Sequence, residues 1–173
     1  MPLPLANARR LAERIVAEIT PFCERIDIAG SIRRARPEVG DIDIVCLPLP
    51  GRLYYIELRC THRGRISKRG DQYMLVELPG GIQLDLWFSH AETDDLFAPQ
   101  PCNHGMLLLA RTGSAAHNIH LASRAKKMGL HFHPHRGILR GAWPGAPVVA
   151  SDTEEDIFHA LGLDFVAPER RER

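Results

Sequence analysis

Residues 29–48 read AGSIRRARPEVGDIDIVCLP. The stretch begins where Ile26-Asp27-Ile28 alternates as a short strand and stops at Gly30-Ser31. A basic loop, residues 32–40, follows. Ile42 to Leu47 then reads as a second strand, closed by Pro48, Pro50 and Gly51. This second strand is apolar enough to be buried, yet it carries Asp41 and Asp43 two residues apart, so both carboxylates leave the same face. An Asp-x-Asp pair can be a turn residue followed by a partner for an arginine. The residues around this one argue for a different use.

The neighbouring pattern supplies a third carboxylate. Tyr73 to Leu78 and Ile82 to Phe88 flank Pro79-Gly80-Gly81, a hairpin signal. In the second arm Gln83, Asp85 and Trp87 face one way, and Ile82, Leu84, Leu86 and Phe88 the other. If the strands carrying Asp43 and Asp85 are neighbours, three carboxylates converge. Unpaired, they would repel one another. Hard divalent cations such as Mg²⁺ or Mn²⁺ relieve that repulsion, and two ions about 3.5–4 Å apart can clamp an in-line phosphoryl displacement. Asp41, Asp43 and Asp85 are therefore the candidate ligands of two ions. The complementary half of phosphoryl transfer is a set of anion donors. Gly30 permits close backbone approach, Ser31 adds a hydroxyl, and Arg33, Arg34 and Arg36 match phosphate oxygens in a fork.

Outside this core the chain reads as mixed α and β first, then mostly helical with a few short strands. Leu5 to Ile19 has helical apolar spacing and ends at Pro21. Residues 53–58 fit a strand or a short helix equally. Residues 89–103 look like the crossing to a second unit. Met106 to Arg111 predicts a helix. Ser114 caps a further helix running to about Met128, with Gly129 at its C-terminal cap. Residues 131–139 are compatible with a strand, on which His131, His133 and His135 would share a face. Ser151 or Asp152 would cap a final helix over residues 153–161.

The 173 residues are 45% apolar and 25% charged, as in ordinary globular chains. No apolar run reaches the roughly 20 residues of a membrane span and no signal-peptide pattern opens the chain, so a cytoplasmic protein without membrane contact is expected. The net charge is +1, but residues 101–150 hold six Lys/Arg, six His and no acid, whereas residues 151–173 hold seven acids. Such a block suits an anionic partner, phosphate backbone above all. Cys23, Cys46, Cys60 and Cys102 have no paired spacing and predict no disulfide framework. The Cys-x-His pairs Cys60/His62 and Cys102/His104 are too short for the usual zinc spacing.

GSIRR…GDIDI resembles the nucleotidyltransferase signature of family X DNA polymerases. GIQLDLWF resembles the strand carrying their third aspartate, RTGSAAHN the segment bridging palm and thumb, and TEEDIFHALGLDFVAPERRE their C-terminal thumb ending. The four motifs occur in the family's order along essentially the whole chain. The resemblance implies an α+β fold: a palm over residues 1–100, with a mixed sheet and helices on one face, followed by a small α/β thumb over residues 101–173. It implies metal ligation by Asp41, Asp43 and Asp85, contacts from Gly30, Ser31, Arg34 and Gly40 to an incoming triphosphate, and Gly113 and Asn118 against the nucleotide sugar and base edge.

The implied activity is transfer of a nucleoside monophosphate from a dNTP to a DNA primer 3′-hydroxyl, with primer-template or gapped DNA as partner, in gap filling or repair, by a monomer. The lyase-type domain and fingers of larger members have no counterpart, so Arg63, Arg65, Lys68, Arg124, Lys126, Lys127 and Arg136 are the candidate DNA contacts. Two positions depart from the family pattern. Ala110-Arg111 replaces the aromatic pair before Thr-Gly-Ser, which predicts weak discrimination against rNTP. Gln83 replaces the basic residue two positions before the third aspartate, which predicts a less firmly oriented Asp85. The competing readings are a transferase acting on RNA ends, a small molecule or a protein, and a catalytically silent nucleic-acid-binding module.

Overall fold

The computed structural model describes residues 2–93 and 100–172. The chain divides into two compact units, residues 1–89 and 90–173. Residues 94–99, part of the expected crossing, lie outside the described residues.

In the first unit β1 (Leu3–Pro4) leads into α1 (Leu5–Ile19), β2 (Cys23–Ile28), α2 (Gly30–Arg33), β3 (Glu38–Val39) and β4 (Asp41–Pro48). Next come α3 (Leu53–Thr61), β5 (Arg65–Arg69), β6 (Tyr73–Glu77) and β7 (Gln83–Phe88). Five strands form a mixed sheet in the order β2-β4-β7-β6-β5. β4 and β7 run parallel at its centre, and the other pairs are antiparallel. The alternation along β4 and β7 does what period 2 requires: Ile42, Ile44, Leu84 and Leu86 are fully buried, while Asp41, Asp43 and Asp85 on the opposite face are half-buried. The apolar face packs on Ala8, Ala12, Ile15 and Ile19 of α1 and on Ile56 and Cys60 of α3. Each fully buried isoleucine or leucine there contributes about 1.5–3 kcal/mol.

Residues 53–58 are resolved as helix: Ile56 and Cys60, four apart, are buried, and Tyr54, Tyr55 and Leu58 are exposed. The basic stretch 59–69 ends α3 and forms β5. Gly30-Ser31 opens the single helical turn α2, so the loop expected over 32–40 is shorter.

The second unit contains α4 (His104–Thr112), α5 (Ala115–Lys127), β8 (His131–His133), β9 (Gly137–Leu139), β10 (Val148–Ala150) and α6 (Glu154–Ala160). β8, β9 and β10 make a small antiparallel sheet. Met106, Leu109, Leu121, Ala125, Ile138, Ile157, Phe158 and Leu161 form its core. Ser114 caps α5 as expected, accepting from the His117 N–H at 3.3 Å. Residues 131–139 are two strands, and His135 falls in the turn between them, so only His131 and His133 share a strand face. The cap of α6 is Thr153, which accepts from the Asp156 N–H; Ser151 is otherwise engaged, its hydroxyl donating to the Cys102 carbonyl at 2.7 Å. No helix among the described residues is long and apolar enough to cross a membrane.

Candidate active site

β4 and β7 place Asp43 directly beside Asp85, and Asp41 beside Gln83, in parallel register. Because both strands keep the apolar face buried, all three carboxylates emerge on the other face, Asp41 one step along β4 from the Asp43–Asp85 rung. The Ala29 N–H donates to the Asp43 carbonyl at 2.8 Å, which draws the end of β2 and the start of α2 onto the same rung. Gly30 lies so close that a Cβ built on it would stand 2.1 Å from Asp43 Oδ2, and its φ of +61° lies in the region that favours glycine. Glycine is thus required here for two independent reasons.

Ser31 follows, with its Oγ buried and without a hydrogen-bond partner among the described residues. A buried hydroxyl left unsatisfied costs about 1–3 kcal/mol, so this atom is suited to a polar ligand. Arg34 ends α2 and is half-buried, and Gly40 is exposed with nothing within 4 Å of a Cβ built on it.

Asp85 has a partner that the sequence did not suggest. The Tyr73 hydroxyl, from the neighbouring antiparallel strand, donates to Asp85 Oδ1 at 2.6 Å. Tyr73 stands opposite Trp87, and their rings lie 4.3 Å apart, centroid to centroid. Asp85 is therefore held from β6, and Gln83 is exposed.

Carboxylate oxygens on one face of neighbouring strands are donors of the kind a hard divalent cation takes, and the buried Ser31 hydroxyl is suited to phosphate. In donor chemistry the residues fit such an ion. Among the described residues no group of three or more His, Cys, Asp or Glu side chains is arranged to hold a metal ion.

In the second unit, Gly113 ends α4 with a φ of +71° and leads into Ser114, whose hydroxyl donates to the Arg171 carbonyl at 2.7 Å. Asn118 Nδ2 donates to the Ala110 carbonyl at 2.8 Å, which ties α5 to the end of α4; its Oδ1 is buried with no partner among the described residues. Arg111 approaches His135 Nε2 at 3.1 Å. Burial, then the charge of Arg111, hold the His135 imidazole below its ordinary value.

Of the candidate DNA contacts, Lys68, Lys126 and Lys127 are exposed. Arg65 pairs with Glu77 at 2.6 Å in an exposed ion pair. Three others are committed to their own unit: Arg63 to Glu18 through Nε and Nη2, Arg124 Nε to the Leu161 carbonyl at 3.0 Å, and Arg136 Nη2 to the Ala146 carbonyl at 2.9 Å.

Sequence inspection also missed Arg171. It is fully buried, paired with Glu154 at 2.6 Å and set against the rings of Phe158 and Phe165. An arginine in a charged C-terminal run gives no sign of burial.

Residues 107–172 match the DNA polymerase beta thumb family. The whole chain superposes on Leishmania infantum polymerase beta in a ternary P/T complex, with a TM-score of 0.78 and 18% identity over 77% of that chain. It superposes equally on the same enzyme in a ternary gap complex, with a TM-score of 0.78 and 17% identity over 71% of that chain. No curated protein matches the sequence.

Proposed function

We propose that this chain, a family X polymerase-like protein with the fold of polymerase beta, is a metal-dependent nucleotidyltransferase that extends a DNA primer. It would transfer a nucleoside monophosphate from a dNTP to the primer 3′-hydroxyl and release pyrophosphate. The observation that carries this reading is the rung joining Asp43 to Asp85, with Asp41 on the same face and Gly30-Ser31 drawn against it. Fold alone would not distinguish among transferases.

Asp41, Asp43 and Asp85 would hold two Mg²⁺ or Mn²⁺ ions, which when bound supply acidification of the attacking hydroxyl and neutralise charge on the transferring phosphoryl group. The Ser31 hydroxyl and the backbone after Gly30 would hold the non-reacting phosphates, with Arg34 and Gly40 beside them. Gly113 and Asn118 would face the nucleotide sugar and base edge. Lys68, Lys126 and Lys127, which are exposed, and Arg65, whose side chain is 72% exposed, are more available to a DNA backbone than Arg63, whose side chain is 31% exposed beside Glu18, or Arg124 and Arg136, which are held by carbonyl oxygens. Gap filling in repair by a monomer is the setting proposed. With Ala110-Arg111 in place of two aromatic rings, ribonucleotides would be accepted readily.

Primer extension on gapped DNA, with Mg²⁺ or Mn²⁺ and with dNTP or rNTP, tests the reading. Extension by the wild type that disappears in Asp85→Ala is expected. No extension with either metal, or extension undiminished in Asp85→Ala, overturns it. A large preference for dNTP over matched rNTP removes the ribonucleotide proposal alone.

A further inference from the structure

The hairpin β6–β7 pairs Tyr73 with Trp87, Leu75 with Asp85 and Glu77 with Gln83. The residue directly opposite Asp85 is thus a leucine, which can hold a carboxylate neither by charge nor by hydrogen bond. Tyr73, one diagonal step away, is within reach because a tyrosine spans the spacing between diagonal cross-strand neighbours. Its ring is fixed by the Trp87 indole at 4.3 Å, and its hydroxyl meets Asp85 Oδ1 at 2.6 Å, the short range of O–H···O⁻ bonds. A tyrosine hydroxyl is protonated at neutral pH and donates. Oδ1 is engaged by Tyr73, and the torsions of Asp85 are restrained by a residue that is itself restrained.

We propose that Tyr73 is a positioning residue for Asp85: it holds Oδ1 and so fixes the orientation in which this carboxylate meets a bound divalent cation. This rests on the proposed role of Asp85 as a metal ligand. Tyr73 acts through Asp85 and touches no reacting atom. Groups that orient metal-binding carboxylates change metal affinity or activity by about 10–100-fold when removed.

The test is Tyr73→Phe, which keeps the ring and its stacking on Trp87 and removes only the hydroxyl, with Leu75→Ala as a packing control on the same strand. Mn²⁺ affinity is measured by electron paramagnetic resonance without DNA or nucleotide, and primer extension is measured separately. In Tyr73→Phe the Mn²⁺ dissociation constant is expected to rise by about tenfold or more, and kcat to fall with KM for nucleotide unchanged. Leu75→Ala is expected to keep wild-type Mn²⁺ affinity even where its thermal midpoint drops. Wild-type Mn²⁺ affinity and kcat in Tyr73→Phe overturn the positioning role, while loss in Asp85→Ala still supports the polymerase reading. A chain that extends no primer, but loses Mn²⁺ affinity in Tyr73→Phe, retains the positioning role and loses the polymerase reading. A wild type that binds no Mn²⁺ overturns both.

Discussion

Asp43 and Asp85 occupy the same rung of a parallel strand pair, and the Gly30 backbone presses against the Asp43 carboxylate. A methyl group at position 30 would displace that carboxylate while leaving the buried face of the sheet alone. Gly30→Ala is expected to cost about 1–2 kcal/mol of stability from its positive φ and to lower primer extension by about 100-fold. Asp43→Asn is expected to lower it at least as far with the thermal midpoint kept. Steady-state extension beside a melting curve separates the two effects, and near-normal extension in either variant removes Asp43 from the site.

Arg171 and Glu154 form a buried ion pair that also steadies the Gly113-Ser114 turn, through the Arg171 carbonyl. Truncating one partner leaves a buried charge uncompensated. Arg171→Ala should destabilise the second unit by about 3–5 kcal/mol, and Arg171→Met combined with Glu154→Gln should recover much of it. Chemical denaturation of the two variants and the wild type measures this, and a double variant no better than Arg171→Ala contradicts it.

The cysteines of the first unit should react in a fixed order. Burial, reinforced by the charges of Glu18 and Cys23, pushes the Cys60 thiol up to about 12. Cys46 is also raised, by its hydrogen bond to Cys23 and by burial, whereas the same hydrogen bond lowers Cys23. The thiolate is the reactive form. Iodoacetamide at pH 8 should therefore label half-buried Cys23 well before Cys46 and Cys60, as peptide mass spectrometry would record. Equal labelling of the three in the folded protein contradicts the order.

Arg63 binds Glu18, and that hydrogen bond holds the Glu18 carboxyl below its ordinary value despite partial desolvation. A depressed carboxyl stabilises the fold above its unfolded pKa and loses that contribution as pH falls through the folded value. Both side chains are about one-third exposed, 31% and 38%, so solvent screening limits the pair to about 0.5 kcal/mol. Arg63→Ala should melt slightly lower than wild type at pH 7, and the gap should close below about pH 4. A gap that persists at low pH assigns the effect to packing instead.

The carboxylate face was legible in the sequence because period 2 alternation leaves little freedom: once Ile42, Ile44, Leu84 and Leu86 are buried, Asp41, Asp43 and Asp85 must face the other way. The hairpin was legible from its Pro-Gly-Gly loop. Local pattern failed where the deciding partner was distant. Residues 53–58 carry aromatic residues suited to strands, and only packing of Ile56 and Cys60 on the sheet selects the helix. The cap of α6 fell one or two residues later than expected because the Ser151 hydroxyl was claimed by Cys102. In the sequence Tyr73 is only a strand residue, although the hairpin register places it diagonally from Asp85.

The parallel pairing of β4 and β7 has a consequence for how the chain can change. Asp43 and Asp85 stand 42 residues apart in sequence yet share a rung, so the intervening α3, β5 and β6 form an excursion that leaves the sheet centre and returns to it. Residues added at the exposed Asp71-Gln72 tip lengthen the excursion without altering the rung. One residue inserted within β4, between Asp41 and Asp43, would turn part of the strand over and separate the carboxylates onto opposite faces. Variation in length is open to the periphery of this unit and closed to eight central residues of one strand.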